Sequence, residues 1–429
     1  MMSNASGASP VMGTSQPSLA IGQRSLGDPS RLFPLTPVLT SGCPASSSEE
    51  MQYPLQVDYD YGRVDPALFD QAPLPGLSRW APLLPPLAPG LSMGEGGTAL
   101  IEAQDLGRSL GFSGALLLKD ESRNPTWSHK DRLNLCVVSA AVSAGAPGIA
   151  VASSGNHGAA AAAYAARAGM PCVVVISDGP QPSFRRFLKA LGAHVVVTDQ
   201  DRRWSVLRRL VDETGFMPAS NLTRFHTGNP YGPEGYKTIA YELFLQLGRR
   251  LPDSVLVPTG YAELLFGVWK GFHELRLLGL TDRVPRLFSA EPEVRGPLAR
   301  AIGSNAAAVE VAAVPSAASG IACTVSGYRG VVALKESRGG ALVASEADMR
   351  TMQVRLAEKG FYQEISGSSG LAAGAAAVAR GADLGETVVA ILTSTGVKDG
   401  PMDVSDVAVH DETTLDALIA TLRGVGGQR

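Results

Sequence analysis

Lys119-Asp-Glu-Ser-Arg-Asn-Pro-Thr-Trp-Ser-His-Lys-Asp-Arg132 is the stretch from which the chain is best read, and Lys130 is its centre. It follows Ala115-Leu-Leu-Leu118, an apolar run that predicts a short buried strand. Asn124-Pro125-Thr126 ends the run in a turn, because proline fixes its own φ and biases its predecessor away from helix. Ser128 can then cap a helix that opens near Lys130 and continues through Leu133, Leu135, Cys136, Val137 and Val138. A lysine is thereby set in the first turn of a helix, where unpaired N–H groups and the macrodipole disfavour an ammonium. A lysine kept neutral is a nucleophile toward aldehydes. On these residues alone, an ordinary lysine at a solvated helix start is the simpler reading.

Outward from this stretch, helix and strand alternate. A helix is expected over about 131–144 and a strand over about 149–152, leading into Ser153-Ser-Gly-Asn-His-Gly158. An Ala-rich helix over 158–168, the strand Cys172–Ile176, an amphipathic helix Phe184–Leu191, the strand His194–Val197 and a helix over 202–214 follow. Such alternation implies βαβ units and a parallel sheet. Later strands are expected at Val255–Val257, Arg286–Glu291 and Val388–Leu392, with a helix over 346–359 and a closing helix and tail over 404–429. Residues 1–50, rich in Ser, Gly, Pro and Ala, read as a disordered tail, and 304–320 as a mobile connection.

Composition narrows the function. At 429 residues the chain exceeds one ordinary core, and 45% hydrophobic with 18% charged residues suits a globular protein with a large interior. The net charge is −3, from 37 basic and 40 acidic residues, with no basic stripe, so nucleic acid is not an expected partner. No apolar run reaches the ~20 residues that span a bilayer, so no membrane partner is expected. Cys43, Cys136, Cys172 and Cys323 are scattered without paired metal spacing, which predicts no bound metal and thiols kept in a reducing cytoplasm.

The central stretch closely resembles the Asn-Pro-Thr-Gly-Ser-Phe-Lys-Asp-Arg segment of threonine synthases, which are pyridoxal 5′-phosphate (PLP) enzymes of fold type II in the tryptophan synthase β-like superfamily. Trp127 stands for the usual Gly and His129 for the usual Phe. The resemblance makes Lys130 the Schiff-base lysine and catalytic base. Ser153, Ser154, Gly155, Asn156 and His157 are similar to the loop that binds the substrate carboxylate, with Asn156 also contacting the cofactor. The form Ser-Ser-Gly-Asn-His is closer to serine and threonine dehydratases. Met93-Gly-Glu-Gly-Gly-Thr98 also resembles a threonine synthase segment, although a plain turn suffices for it.

Two further segments carry the resemblance and depart from it. Phe225–Glu242 resembles the family's Asn-Pro-Tyr-Arg-x-Glu-Gly-x-Lys-Thr-Ile-Ala-x-Glu, which makes Thr227 a substrate-binding candidate. Gly232, however, replaces the arginine that grips the phosphate of O-phosphohomoserine. Arg224 and His226 are the candidate substitutes. In Pro258-Thr-Gly-Tyr-Ala-Glu-Leu264, the residues Gly260, Tyr261, Ala262, Glu263 and Leu264 match the Gly-Asn-x-Gly-Asn loop that wraps the cofactor phosphate with backbone N–H groups. Only the first glycine is kept, and Glu263 beside a dianion is unfavourable unless paired or turned away. Thr393 takes the position whose hydroxyl faces the pyridine nitrogen.

The resemblance, over about residues 52–400, implies an α/β fold of type II, with two open, twisted, mostly parallel sheets flanked by helices. It further implies a larger PLP-binding domain (51–102 plus 220–429) and a smaller mobile domain (103–219) carrying the carboxylate loop. The expected function is PLP-dependent elimination or β/γ-replacement, as a lyase of threonine synthase type, on a small amino acid with an activated side chain. A serine/threonine dehydratase and a non-catalytic PLP-fold binding protein are the alternatives. A cytoplasmic homodimer is expected from the prevalence of two-fold enzymes.

Overall fold

The computed structural model describes residues 17–70, 76–177, 182–399, 412–415 and 417–419. β1 (Ala20–Ser25), β2 (Leu32–Phe33) and β3 (Leu55–Tyr59) join as an antiparallel sheet in the order β2-β1-β3. This corrects the expectation of a disordered tail over 1–50 from residue 17 onward; residues 1–16 lie outside the described residues. The segment is ordered by tertiary partners rather than by its own apolar content. Fully buried Gln23 donates to the carbonyls of Pro34, Leu35 and Pro37 and accepts from the Leu39 N–H. The Thr227 hydroxyl donates to Thr40 O.

β4 (Leu100–Glu102) and α1 (Gln104–Ser109) lead into β5 (Ala115–Asp120) and α2 (Lys130–Ser143). The expected alternation then holds through β6 (Ile149–Ala152), α3 (Asn156–Arg167), β7 (Cys172–Ser177), α4 (Pro182–Ala190), β8 (His194–Thr198), α5 (Arg203–Thr214) and β9 (Met217–Pro218). These strands form a parallel four-stranded sheet, β8-β7-β6-β9. α6 (Gly232–Tyr236), α7 (Thr238–Gln246), β10 (Ser254–Pro258), α8 (Glu263–Leu277), β11 (Arg286–Pro292) and α9 (Pro297–Gly303) follow. α10 (Tyr328–Ser337), β12 (Gly340–Ala344), α11 (Glu346–Glu358), α12 (Ile365–Ala379) and β13 (Thr387–Leu392) complete a six-stranded sheet, β12-β11-β10-β13-β5-β4, parallel except at β4. The architecture is α/β with mostly parallel sheets flanked by helices, as expected.

The boundary at residue 103 does not follow the sheets. β5 pairs with β13 from Ala115↔Thr387 to Asp120↔Leu392, so it belongs to the larger sheet, and the smaller one runs from Ile149 to Pro218. β5 reads as buried because it is: Leu116 and Leu118 are fully covered, and a side chain of that size contributes roughly 1.5–3 kcal/mol on burial. Two ionic webs pin the helices behind the site. Lys119 in β5 reaches Glu242 (2.6 Å) of α7, and Arg132 of α2 reaches Glu121 (2.7 Å) and Glu242 (2.6 Å). Glu234 of α6 receives Lys237 (2.9 Å) and Lys270 (2.6 Å), and its other contacts are β3 Val57 N–H and the Tyr59 hydroxyl. Residues 399–429 form a unit of their own containing a short turn at Glu412–Thr414, and most of the expected closing helix over 404–429 lies outside the described residues.

Candidate active site

The chemistry-bearing residues gather at the carboxyl ends of parallel strands, where open α/β sheets leave a crevice. β5 runs through the turn at Asn124–Thr126 to Lys130, β6 runs into Ser153–His157, β10 into Thr259–Ala262, and β13 into Thr393 and Ser394. Lys130 stands at the head of α2 with its side chain about one-fifth exposed. Its Nζ lies 4.0 Å from a Glu263 carboxylate oxygen and 5.6 Å from the Tyr236 ring centre. Burial pushes its pKa down, while the charges of Glu263, Cys323 and Glu364 pull it back up. The expected cap is absent: the Ser128 hydroxyl makes no helix-capping bond and is buried without a partner. Ser128 instead bridges to Ser394, and the adjoining His129 N–H donates to Thr393 O (3.0 Å). His129 Nδ1 lies 3.1 Å from the same carbonyl, which can only accept, so this nitrogen carries the hydrogen. Burial holds His129 well below its usual pKa, so it is neutral.

Trp127, in place of the family's glycine, adopts the left-handed φ of 62°. Its carbonyl accepts from the Ser394 hydroxyl, and its half-exposed ring leans on Phe187 of α4. The loop Ser153–His157 ends in the first turn of α3. Ser154 shares a hydrogen bond with Ser177 (3.1 Å), and Ser153 Oγ accepts from Gly155 N–H. Asn156 donates through Nδ2 to both Glu364 oxygens (3.0 and 2.9 Å), and its Oδ1 accepts from Ser394 (3.1 Å) and Lys398 (2.7 Å). His157 Nε2 is buried without a partner, and desolvation keeps this ring neutral too.

Gly260–Leu264 crosses from β10 into α8. Ala262 takes a left-handed φ of 64° and no side chain caps the helix, so the first N–H groups of α8 lack a capping bond. Tyr261 stacks on His226 with ring centres 4.2 Å apart. Leu264 is buried, as is Glu263 with 7% exposure. Thr393 is buried with its hydroxyl beside Gly367.

The Thr227 hydroxyl is turned to Thr40 O (3.0 Å) and Thr223 (2.9 Å). Arg224 is exposed and pairs with Glu310, so it does not replace the missing arginine. A Cβ added at Gly232 would sit 2.9 Å from Leu133 Cγ, so this position faces the packed flank of α2. At the 94–97 segment, Gly96 N–H donates to Asn124 and Gly97 N–H to Glu242, which leaves neither for a ligand.

Glu364, Lys398 and Tyr236 were not singled out from sequence, although all three border the lysine or the asparagine. Lys398 closes the segment that identified Thr393, which was the available signal; burial brings its pKa down to about 8. Glu364 had none, being joined to Asn156 across 208 residues. Among the described residues no group of three His, Cys, Asp or Glu is arranged to hold a metal, and no helix is long and apolar enough to cross a membrane. The arrangement fits pyridoxal phosphate: a desolvated amine, an uncapped helix head, a hydroxyl at 393, and orphaned polar atoms on Ser128 and His157.

A family model described as pyridoxal-phosphate dependent enzyme matches residues 91–394. The chain is 32% identical over 385 residues to threonine synthase of Methanosarcina acetivorans, covering 86% of this chain and 91% of that protein. Among solved structures it resembles O-ureido-L-serine synthase (TM-score 0.61, 25% identity, 78% of this chain and 100% of that one). It also resembles a threonine deaminase from T.th. (TM-score 0.60, 27% identity, 71% of this chain and 94% of that one).

Proposed function

Since the chain belongs to the pyridoxal-phosphate dependent enzymes, we propose that it is a threonine-synthase-like lyase or replacement enzyme for a small amino acid with an activated side chain. The observation that carries this reading is Lys130: a desolvated ε-amine in one strand-end crevice with Ser153–His157 and Thr393. When bound, the cofactor supplies the electron sink that lets the amino acid lose its Cα proton. Lys130 would hold the cofactor through its ε-amine and, as the free amine, would take the proton from Cα. Ser153, Ser154 and the N–H groups at the head of α3 receive the substrate carboxylate. Asn156, held on both sides by Glu364 and Lys398, keeps that loop in register. The head of α8 would receive the cofactor phosphate. Thr393 would offer a neutral hydroxyl to the pyridine nitrogen, which would favour prompt loss of a β or γ leaving group over transamination. The smaller sheet unit moves to close the crevice over the substrate.

By the family resemblance alone, one position bears on the identity of the leaving group. Gly232 supplies no charge, and a buried dianion without a charge-assisted donor is costly. We therefore favour a substrate other than O-phosphohomoserine. A serine/threonine dehydratase is the second reading, favoured by Ser153-Ser-Gly-Asn-His157. A panel of amino acids, with and without O-phosphorylation, screened for spectral change, phosphate and 2-oxoacid, separates the two. Threonine and phosphate from O-phosphohomoserine would overturn the inference from Gly232, and 2-oxoacid from free serine or threonine would favour the dehydratase. The reading takes the enzyme as a cytoplasmic homodimer; the four buried, unbridged cysteines agree with a reducing compartment.

A further inference from the structure

Glu263 is the residue at this site that the proposed chemistry does not use. It is the first residue of α8, is 7% exposed, and brings a carboxylate oxygen within 4.0 Å of Lys130 Nζ. Its other oxygen lies against Gly228, where an added Cβ would be 2.6 Å away. The side chain therefore turns into the crevice. The helix behind it has no side-chain cap from Ala262, so the N-terminal partial charge of a fifteen-residue helix faces this space. A phosphate whose ligand must also present an aldehyde to Lys130 has this helix head as its neighbouring seat.

We propose that in the cofactor-free protein the Glu263 carboxylate occupies the anion seat at the head of α8, paired with Lys130, and that the cofactor phosphate must displace or neutralise it. The inference rests on Lys130 being the cofactor lysine. Tyr236 and Tyr261 carry hydroxyls that burial keeps protonated, and His226 is held neutral by burial. The Arg329 guanidinium donates to the carbonyls of Thr227 and Leu55. The charge of Arg329 also acts on Glu263, but among the described residues Lys130 makes its one ion pair within 4.0 Å, and that pairing ends when the amine bonds to the aldehyde. Glu263 thereby sets a weak intrinsic affinity for the cofactor, so that the protein loads only where cofactor is plentiful.

The test is equilibrium titration of the stripped full-length protein with pyridoxal phosphate, and separately with inorganic phosphate by calorimetry, for wild type, Glu263→Gln and Glu263→Gly. Removing a like charge beside a dianion should tighten cofactor binding about tenfold in both variants, and inorganic phosphate should bind Glu263→Gly measurably better than wild type. A carboxylate that merely supports the helix would instead leave binding unchanged or weakened in both variants, and that result overturns the proposal. Circular dichroism confirms that the variants remain folded; the isosteric Gln keeps the comparison valid should the Gly variant fail. Cofactor binding by none of the three proteins would overturn the assignment of Lys130 itself, an outcome distinct from equal binding by all three.

Discussion

At the scale of single residues, the site depends on charges that are buried and matched. Arg132 is fully buried, and its guanidinium donates to Glu121 (2.7 and 2.8 Å), Glu242 (2.6 and 2.8 Å) and Thr238 (2.8 Å) two residues beyond Lys130. Arg132→Met should therefore cost roughly 3–5 kcal/mol in denaturant unfolding, because two carboxylates lose their counter-ion in the interior. A loss under about 1 kcal/mol would mean that Lys119 alone suffices for Glu242. Lys130 itself was legible in sequence because a strand, a proline turn and a helix start follow one another within sixteen residues. Its partners were not. Asn156 with Glu364, and Lys130 with Glu263, are pairings made by the sheet order, and no local pattern encodes which strand ends become neighbours.

At the scale of elements, turns and caps show where this chain departs from its relatives. Trp127 in the left-handed region carries a cost of roughly 1–2 kcal/mol that glycine would avoid. Trp127→Gly should lose the Phe187 contact, itself worth roughly 0.5–1.5 kcal/mol. The two effects nearly cancel, so thermal stability should change little, whereas a marked loss would show that the ring does more than lean on α4. Glu291, at the end of β11, accepts from the N–H groups of Leu298 and Ala299 at the start of α9, and burial raises its carboxyl to about 7. The folded state thus keeps a proton that the unfolded chain, at ~4.3, releases earlier. That contribution to stability is complete below ~4.3 and is lost as pH rises through about 7. The melting-temperature advantage of wild type over Glu291→Gln should accordingly shrink as pH rises across this window; a constant gap would contradict it. Element positions were largely legible, since 3.6- and 2-residue periodicities are local signals. The membership of β5 was not, because a buried apolar strand carries no mark of the sheet it joins.

At the scale of the molecule, residues that read as an unstructured tail prove to be part of the fold. β1 pairs with β3, Tyr231 donates to Leu35 O, and Thr227 to Thr40 O. Deleting residues 1–50 should lower the melting temperature and expose apolar surface to a dye such as ANS, whereas unchanged melting would show the sheet to be dispensable. Composition misled there because order came from contacts with residues nearly two hundred positions away. Fold class and cofactor were legible because they depend on motifs kept in chain order, while the substrate was not, because Gly232 removes a group without naming its replacement. The account as a whole stands on the covalent partner of the cofactor. Borohydride reduction of the purified holoenzyme, followed by peptide mass spectrometry, tests it most directly: the pyridoxyl group should be found on Lys130 and be missing from Lys130→Ala. Label on another lysine, or none on wild type loaded with the cofactor, would contradict it.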